Sequence, residues 1–153
     1  MKVELKKLTI RYLFDFMRTI KNPEVGSKLQ FNVPGYLLKG LKEIWGDLGG
    51  SYKWAILVDG KYAGDVVLED FNKDKTECEI GYYVAREFWG KGIATKAVKE
   101  ILKFAFKDLK LKKVKADNDL DNPASGKVLK NAGFKKMKTD KKKQIVLWEK
   151  KRW

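Results

Sequence analysis

Gly90-Lys91-Gly92 stands just before Ala94, Ala97, Val98, Ile101, Leu102 and Ala105, apolar residues at the three-and-four spacing of an amphipathic helix. The glycines therefore fall at a helix N-terminus, where the first backbone N–H groups have no intrahelical partner and the peptide dipoles turn their positive end outward. Lacking Cβ atoms, they let a ligand come close to that backbone. The chemistry expected there is anion binding, most naturally of phosphate. A P-loop would need Gly-x-x-x-x-Gly-Lys-Ser/Thr, which occurs nowhere in the chain. A dinucleotide fingerprint would need its first glycine directly after the strand and Gly or Ala at the sixth position; here five residues separate Val84 from Gly90, and the sixth position is Thr95. A turn that merely caps a helix is the structural alternative.

Upstream of the glycines, Glu77, Glu79, Gly81 and Tyr83 share one face of a strand, and Cys78, Ile80, Tyr82 and Val84 share the other. The two carboxylates are candidate proton acceptors or simply solvated charges. Cys78 on the apolar face reads as core rather than as an acyl-carrying nucleophile. Gly81 inside the strand suggests a bulge or a close backbone approach that would part this strand from the next parallel one and open a slot. Farther on, Asn122-Pro123-Ala124-Ser125 has an N-cap residue followed by proline at the first helical position. The chain has no histidine, which removes Ser-His-Asp and Cys-His machinery, imidazole metal sites and histidine bases. No metal is expected.

These residues need elements to hold them. Residues 3–8 alternate as a strand, and residues 10–20 carry Leu13, Phe14, Met17 and Ile20 at helical spacing. Residues 22–34 read as a loop, and Leu37, Leu38, Leu41, Ile44, Trp45 and Leu48 mark a second helix stopped by Gly49-Gly50. Strands at 52–58 and 61–69 are joined by Asp59-Gly60, a two-residue hairpin signal, and a third at 76–84 completes an antiparallel meander. A helix at 92–106, a strand at 111–117, a helix at 122–132 and strands at 134–138 and 144–150 follow. A strand, crossover helix and neighbouring parallel strand inside a mostly antiparallel sheet define an α+β class with one mixed sheet.

Composition bounds the rest. A chain of 153 residues with 44% hydrophobic content fits a single domain over 1–153. The start Met-Lys-Val-Glu-Leu-Lys-Lys has charge where a signal peptide needs an apolar run, and the longest apolar stretch is Trp54-Ala-Ile-Leu-Val58. Neither secretion nor a membrane span is expected. One cysteine forms no intramolecular disulfide, which suits a cytoplasmic setting. The net charge of +14 is spread along the chain without a nucleic-acid-binding motif, so it fits a polyphosphate ligand as well as RNA or ribosome contact.

Read together, the motifs resemble the GNAT superfamily of N-acetyltransferases. The family's pyrophosphate loop, Gln/Arg-x-x-Gly-x-Gly/Ala, corresponds to Trp89-Gly90-Lys91-Gly92-Ile93-Ala94, with Trp89 replacing the Gln or Arg. Asn122, Ser125, Leu129 and Gly133-Phe134 match Asn-x-x-Ser-x-x-x-Leu-x-x-x-Gly-Phe of the ribosomal-protein N-terminal acetyltransferase branch. The order of elements also matches the GNAT fold over nearly the whole chain. The resemblance implies acetyl-CoA as cosubstrate, with its phosphates on Trp89, Gly90, Lys91, Gly92, Ile93, Ala94 and Thr95. It implies pantetheine paired like an extra strand along Tyr82, Tyr83 and Val84, and held by Asn122 near Ser125. Other members place a Tyr acid seven residues after that Asn; here the position is Leu129, so Ser125 inherits the role. Glu79 acting through water is the expected base, with Glu77 in reserve, and a protein N-terminal α-amine is the expected acceptor among primary amines. A catalytically silent module of the same fold, binding protein or RNA through its lysines, is the alternative.

Overall fold

The computed structural model describes residues 1–26 and 50–152; the helix expected at 37–48 and most of the loop before it lie outside the described residues. Seven strands form one sheet in the order β1-β2-β3-β4-β5-β7-β6. They are β1 (Val3–Lys7), β2 (Tyr52–Val58), β3 (Lys61–Glu69), β4 (Glu77–Val84), β5 (Lys113–Asp119), β6 (Lys135–Asp140) and β7 (Ile145–Lys151). Every neighbouring pair is antiparallel except β4 and β5. Helices α1 (Ile10–Ile20), α2 (Pro23–Gly26), α3 (Ile93–Lys103) and α4 (Pro123–Asn131) flank it. The expected α+β class with a central crossover, β4-α3-β5, is present. No helix among the described residues is long and apolar enough to cross a membrane.

Helix α3 buries Ile93, Ala97, Val98, Ile101 and Leu102, the stripe that its periodicity marks out. That stripe packs on Ile56, Val66, Leu68, Cys78, Ile80 and Val84 in one continuous core. Burying each large aliphatic side chain there is worth roughly 1.5–3 kcal/mol. At its end the helix widens into a looser turn over Phe104–Asp108 instead of stopping, and Leu109 N–H and Leu111 N–H donate to the Phe104 and Ala105 carbonyls at 3.1 and 3.0 Å. Because Leu111 N–H is spent on that turn, β5 begins at Lys113 rather than at residue 111.

On the opposite face α1 buries Leu13 and Phe16, whereas Phe14, assigned to the stripe by sequence, is exposed. The stripe follows 13, 16, 17 and 20, and Phe16 meets the Tyr83 ring edge-on at 5.4 Å between centroids. Asp59 and Gly60 take φ of 48° and 80°, as a tight primed hairpin requires. Residues 23–26, expected as loop, form the short helical turn α2.

Among the described glycines, Gly64 has the least room for a side chain. Its φ is 155°, beside an irregularity in the β2–β3 register, and a Cβ added there would run into the Tyr83 carbonyl. Gly64→Ala is therefore expected to destabilise by about 3 kcal/mol. Gly60→Ala, where φ is 80° but a Cβ meets nothing within 4 Å, should cost only about 1–2 kcal/mol. Urea unfolding of the two variants checks that order.

Candidate functional site

Strands β4 and β5 pair only at Glu77↔Lys113, Cys78↔Val114 and Glu79↔Lys115, although β4 continues to Val84 and β5 to Asp119. The expected slot is present, but a bulge at Gly81 does not make it. Gly81 pairs with Val67 in unbroken register. Strand β5 stays paired along its whole length with β7, from Lys113↔Lys151 to Asp119↔Ile145, while its ladder to β4 ends after Lys115.

The slot opens into a cavity of about 490 Å³, a size that suits a small-molecule ligand. Strand β4 contributes Tyr82, Tyr83 and Val84 to its wall. The loop and first turn of α3 contribute Trp89, Gly90, Gly92, Ile93, Ala94 and Thr95, and the start of α4 contributes Asn122 and Ser125. Gly90 and Gly92 take φ of 73° and 72°, and a Cβ on either would meet nothing within 4 Å. Gly92 is the N-cap of α3 and offers no side chain to its free amides. The arrangement is a backbone cradle with open space above it, fit for a phosphate.

Three predicted residues behave differently from expectation. Trp89 turns its indole back to donate to the Val84 carbonyl at 2.6 Å, so the side chain that replaces a polar residue of the loop motif instead pins the loop to the strand end. Any pairing of a ligand along this edge shares that carbonyl with the indole. Lys91 does not line the cavity. Its ammonium donates to the Glu87 carbonyl at 2.9 Å and lies 5.7 Å from the Phe88 ring, because the left-handed glycines on either side turn it outward. Glu77, the reserve base, is held between Lys113 and Lys115 at 2.9 Å each. Hydrogen bonds from Lys115 and then Lys113 keep its carboxyl below the ordinary range, which weakens it as a proton acceptor.

Glu79 is exposed and does not line the cavity. Desolvation, then Asp70 and Asp117, push its carboxyl upward, toward better basicity. Cys78 is buried in the core, and burial with the Glu79 charge pushes its thiol up to about 12, so it stays protonated.

At the start of α4, Asn122 accepts a hydrogen bond from Ser125 N–H at 3.4 Å and so caps its own helix. Asn118, buried in β5, steadies this corner. Its Nδ2 donates to the Asp119 and Asn122 carbonyls, and its Oδ1 accepts from the Trp148 indole at 2.7 Å. Gly126 packs so close to Asn118 and Trp148 that a Cβ would crowd both. Ser125 is thereby aimed across the slot, where its Oγ lies 2.8 Å from the Tyr82 hydroxyl. The same phenol lies 3.1 Å from the Ser125 carbonyl, which only accepts.

Sequence reasoning gave Tyr82 a backbone role and missed this phenol. It also missed Ala124, Lys127, Val128 and Asn131, which line the cavity from α4, and Glu24, which lines it from α2 and pairs with Arg86 at 2.7 Å. Positions 124, 128 and 131 lie on one helical face with Ser125, a spacing that could have found them. Asp65 on β3 was missed as well. It is 4% exposed, and Tyr83 O–H donates to its Oδ2 at 3.4 Å while also bonding Tyr62. Among the described residues its Oδ1 is buried without a hydrogen-bond partner. An Asp inside the apolar run Ala63-Gly64-Asp65-Val66-Val67 was the available signal.

Comparison with known proteins agrees with this geometry. Residues 7–135 match the family model described as "Acetyltransferase (GNAT) domain". A curated relative from Bacillus subtilis, "Putative ribosomal N-acetyltransferase YdaF", is 34% identical over 90 residues, covering 59% of this chain and 49% of the relative. The match thus spans about half the length of that relative. A spermidine N-acetyltransferase from Vibrio cholerae, solved with CoA and spermine, superposes with a TM-score of 0.84 at 17% identity over 97% of this chain and 95% of its own. RimL, a ribosomal L7/L12 alpha-N-protein acetyltransferase solved with coenzyme A, superposes at 0.82 and 14% identity over 97% and 93%. The splayed β4–β5 pair and the glycine cradle at the head of α3 therefore have a family context: this chain belongs to the GNAT acetyltransferases.

Proposed function

We propose that this chain is an acetyl-CoA-dependent N-acetyltransferase that moves acetyl directly onto a primary amine, most favourably a protein N-terminal α-amine. The observation that carries the reading is the join of two features in one cavity, a slot where β4 leaves β5 and an uncapped helix start with two left-handed glycines at its end. The amides of Gly92 to Thr95 would hold the diphosphate, and the β4 edge with Asn122 would hold the pantetheine arm. Acetyl-CoA supplies a thioester-activated acetyl group. Coenzyme A in two superposing structures supports it as the ligand class, while one of these is a spermidine enzyme and the other a ribosomal-protein enzyme, so the acceptor rests on other grounds.

Those grounds are acidity and charge. An α-amine of pKa near 8 is about one-tenth neutral at pH 7, against roughly one lysine side chain in 2,500. The weaker base needs less help from a carboxylate such as Glu79 acting through water. A chain of +14 also repels polycations such as spermidine at long range, though screening over about 8 Å lets local acidic groups act.

Ser125 is assigned as the group that protonates the departing thiolate. Its proton is free for that purpose when Tyr82 O–H donates to Ser125 Oγ, and is turned away when the phenol donates to the Ser125 carbonyl. Burial pushes the Tyr82 phenol up to about 12, so it remains protonated and serves as a donor.

The phosphate assignment is tested by calorimetry. CoA should bind more tightly than its dephosphorylated pantetheine fragment, and Gly92→Val should abolish most of that difference; equal affinities would remove the cradle from the account. In steady-state assays Ser125→Ala is expected to lower turnover roughly ten- to a hundredfold, with Tyr82→Phe toward the same range. Unchanged turnover in both leaves no protein acid at the thiolate. The acceptor is read from competition among peptides with free and blocked N-termini and spermidine. The free α-amine should win, and preferential acetylation of a lysine side chain or of spermidine refutes the substrate class. In the same assay Glu79→Gln should lose activity between pH 6 and 9; full activity there removes Glu79 as base.

A further inference from the structure

Asp65 has no place in the reading above, and its surroundings are costly. A carboxyl 4% exposed with one oxygen unpartnered among the described residues is destabilising where an apolar side chain would pack. Among the described residues the ionisable groups around it are Lys53 of β2, Tyr62 of β3 and Tyr83 of β4, with Tyr12 of α1 stacked on Tyr62 at 6.1 Å. Tyr83 is the link to the site. It lines the cavity, and its phenol reaches Asp65 and Tyr62 on the α1 face of the sheet.

We propose that Asp65 is a positioning residue for the acceptor amine, holding the Tyr83 phenol proton so that the phenol oxygen faces the incoming amine and relaying one amine proton onto its own carboxylate. The inference rests on the acetyltransferase reading. The protons balance as follows. An ammonium nitrogen carries three hydrogens and the amide nitrogen keeps one. One proton passes to Tyr83 oxygen as the Tyr83 proton moves to Asp65, and the second leaves through water to Glu79. The CoA sulfur takes one proton from the Ser125–Tyr82 pair, which regains one from solvent while Asp65 and Glu79 give up their two, so each turnover converts R–NH3+ and acetyl-CoA into R–NH–acetyl, CoA thiol and, net, one proton released to solvent.

Proton affinity favours the assignment. Burial raises the Asp65 carboxyl to about 7, with Lys53 and the Tyr62 and Tyr83 hydrogen bonds pulling the other way. That lies within about one unit of an α-amine, whereas an ordinary carboxylate lies about four units below it and takes the proton roughly a thousandfold less favourably. A group whose folded pKa is raised contributes its cost as pH climbs from the unfolded value near 4 through 7, and the full cost is present above 7.

The test compares wild type with Asp65→Asn and Tyr83→Phe, using a peptide with a free N-terminus. At pH 7 both variants should lose roughly ten- to a hundredfold in kcat, with KM for acetyl-CoA and calorimetric CoA affinity unchanged. The wild-type kcat/KM should carry a rising limb near pH 7 that Asp65→Asn lacks; the acceptor's own ionisation is common to both and cancels in the ratio. Without substrate, a carboxyl carbon assigned to Asp65 by NMR should titrate near pH 7, and Asp65→Asn should gain Tm relative to wild type between pH 5 and pH 8. Tyr83→Phe keeps the carboxyl in place and reports on the relay even where Asp65→Asn folds poorly. A flat ratio of pH profiles, full turnover in Tyr83→Phe, or an Asp65 carboxyl titrating near 4 overturns the inference while the acetyltransferase reading stands. A wild-type protein that acetylates no amine overturns both.

Discussion

The site depends on a parallel pairing that stops early. Three residue pairs join β4 to β5 and then the ladder ends, while β5 stays paired over its full length with the antiparallel β7. The strand edge that β4 leaves open is a row of backbone donors and acceptors inside a protein, a liability unless something pairs with it. Trp89 answers part of that demand at the Val84 carbonyl, and the Tyr82–Ser125 contact spans the gap lower down. What remains is a slot lined by the β4 edge, ending on helix amides with no side-chain cap.

Both ends of the slot are held by core packing rather than by the polar groups that face it. The buried stripe of α3 fixes where its free amides point, and Asn118, Trp148 and Gly126 fix where α4 begins. The polar residues can therefore be aimed without carrying the fold. Asp65 is the exception, since it sits in the sheet itself and costs stability there. Costs of that kind concentrate where a protein acts rather than where it only folds.

The part of the site built by local periodicity was legible in the sequence. The positions that place Gly90 and Gly92 before α3, Asn122 and Pro123 before α4, and Asp59-Gly60 in the hairpin each depend on a few neighbouring residues. Features that depend on distant partners were not. Tyr82 and Ser125 meet across 43 positions, and Tyr83 and Asp65 across 18, and no spacing rule connects such pairs. The β5 start moved because the exit turn of α3 consumed Leu111 N–H, and Phe16 displaced Phe14 because the Tyr83 ring lay beneath it. In the same way, the slot was read from Gly81, where the unbroken β3–β4 register shows no bulge, and the opening lies in the β4–β5 ladder, which ends after three pairs.

Free amides at the head of α3, together with the β4 edge, are the binding surface proposed for acetyl-CoA. The most direct test is a titration of the uniformly 15N-labelled protein with CoA, followed by backbone amide shifts. The largest changes should fall on Gly90, Gly92, Ile93, Ala94 and Thr95 and on Tyr82 to Val84, and they should saturate together. Shifts confined to other surfaces, with the amides of Gly92 to Thr95 unmoved at saturation, would contradict it.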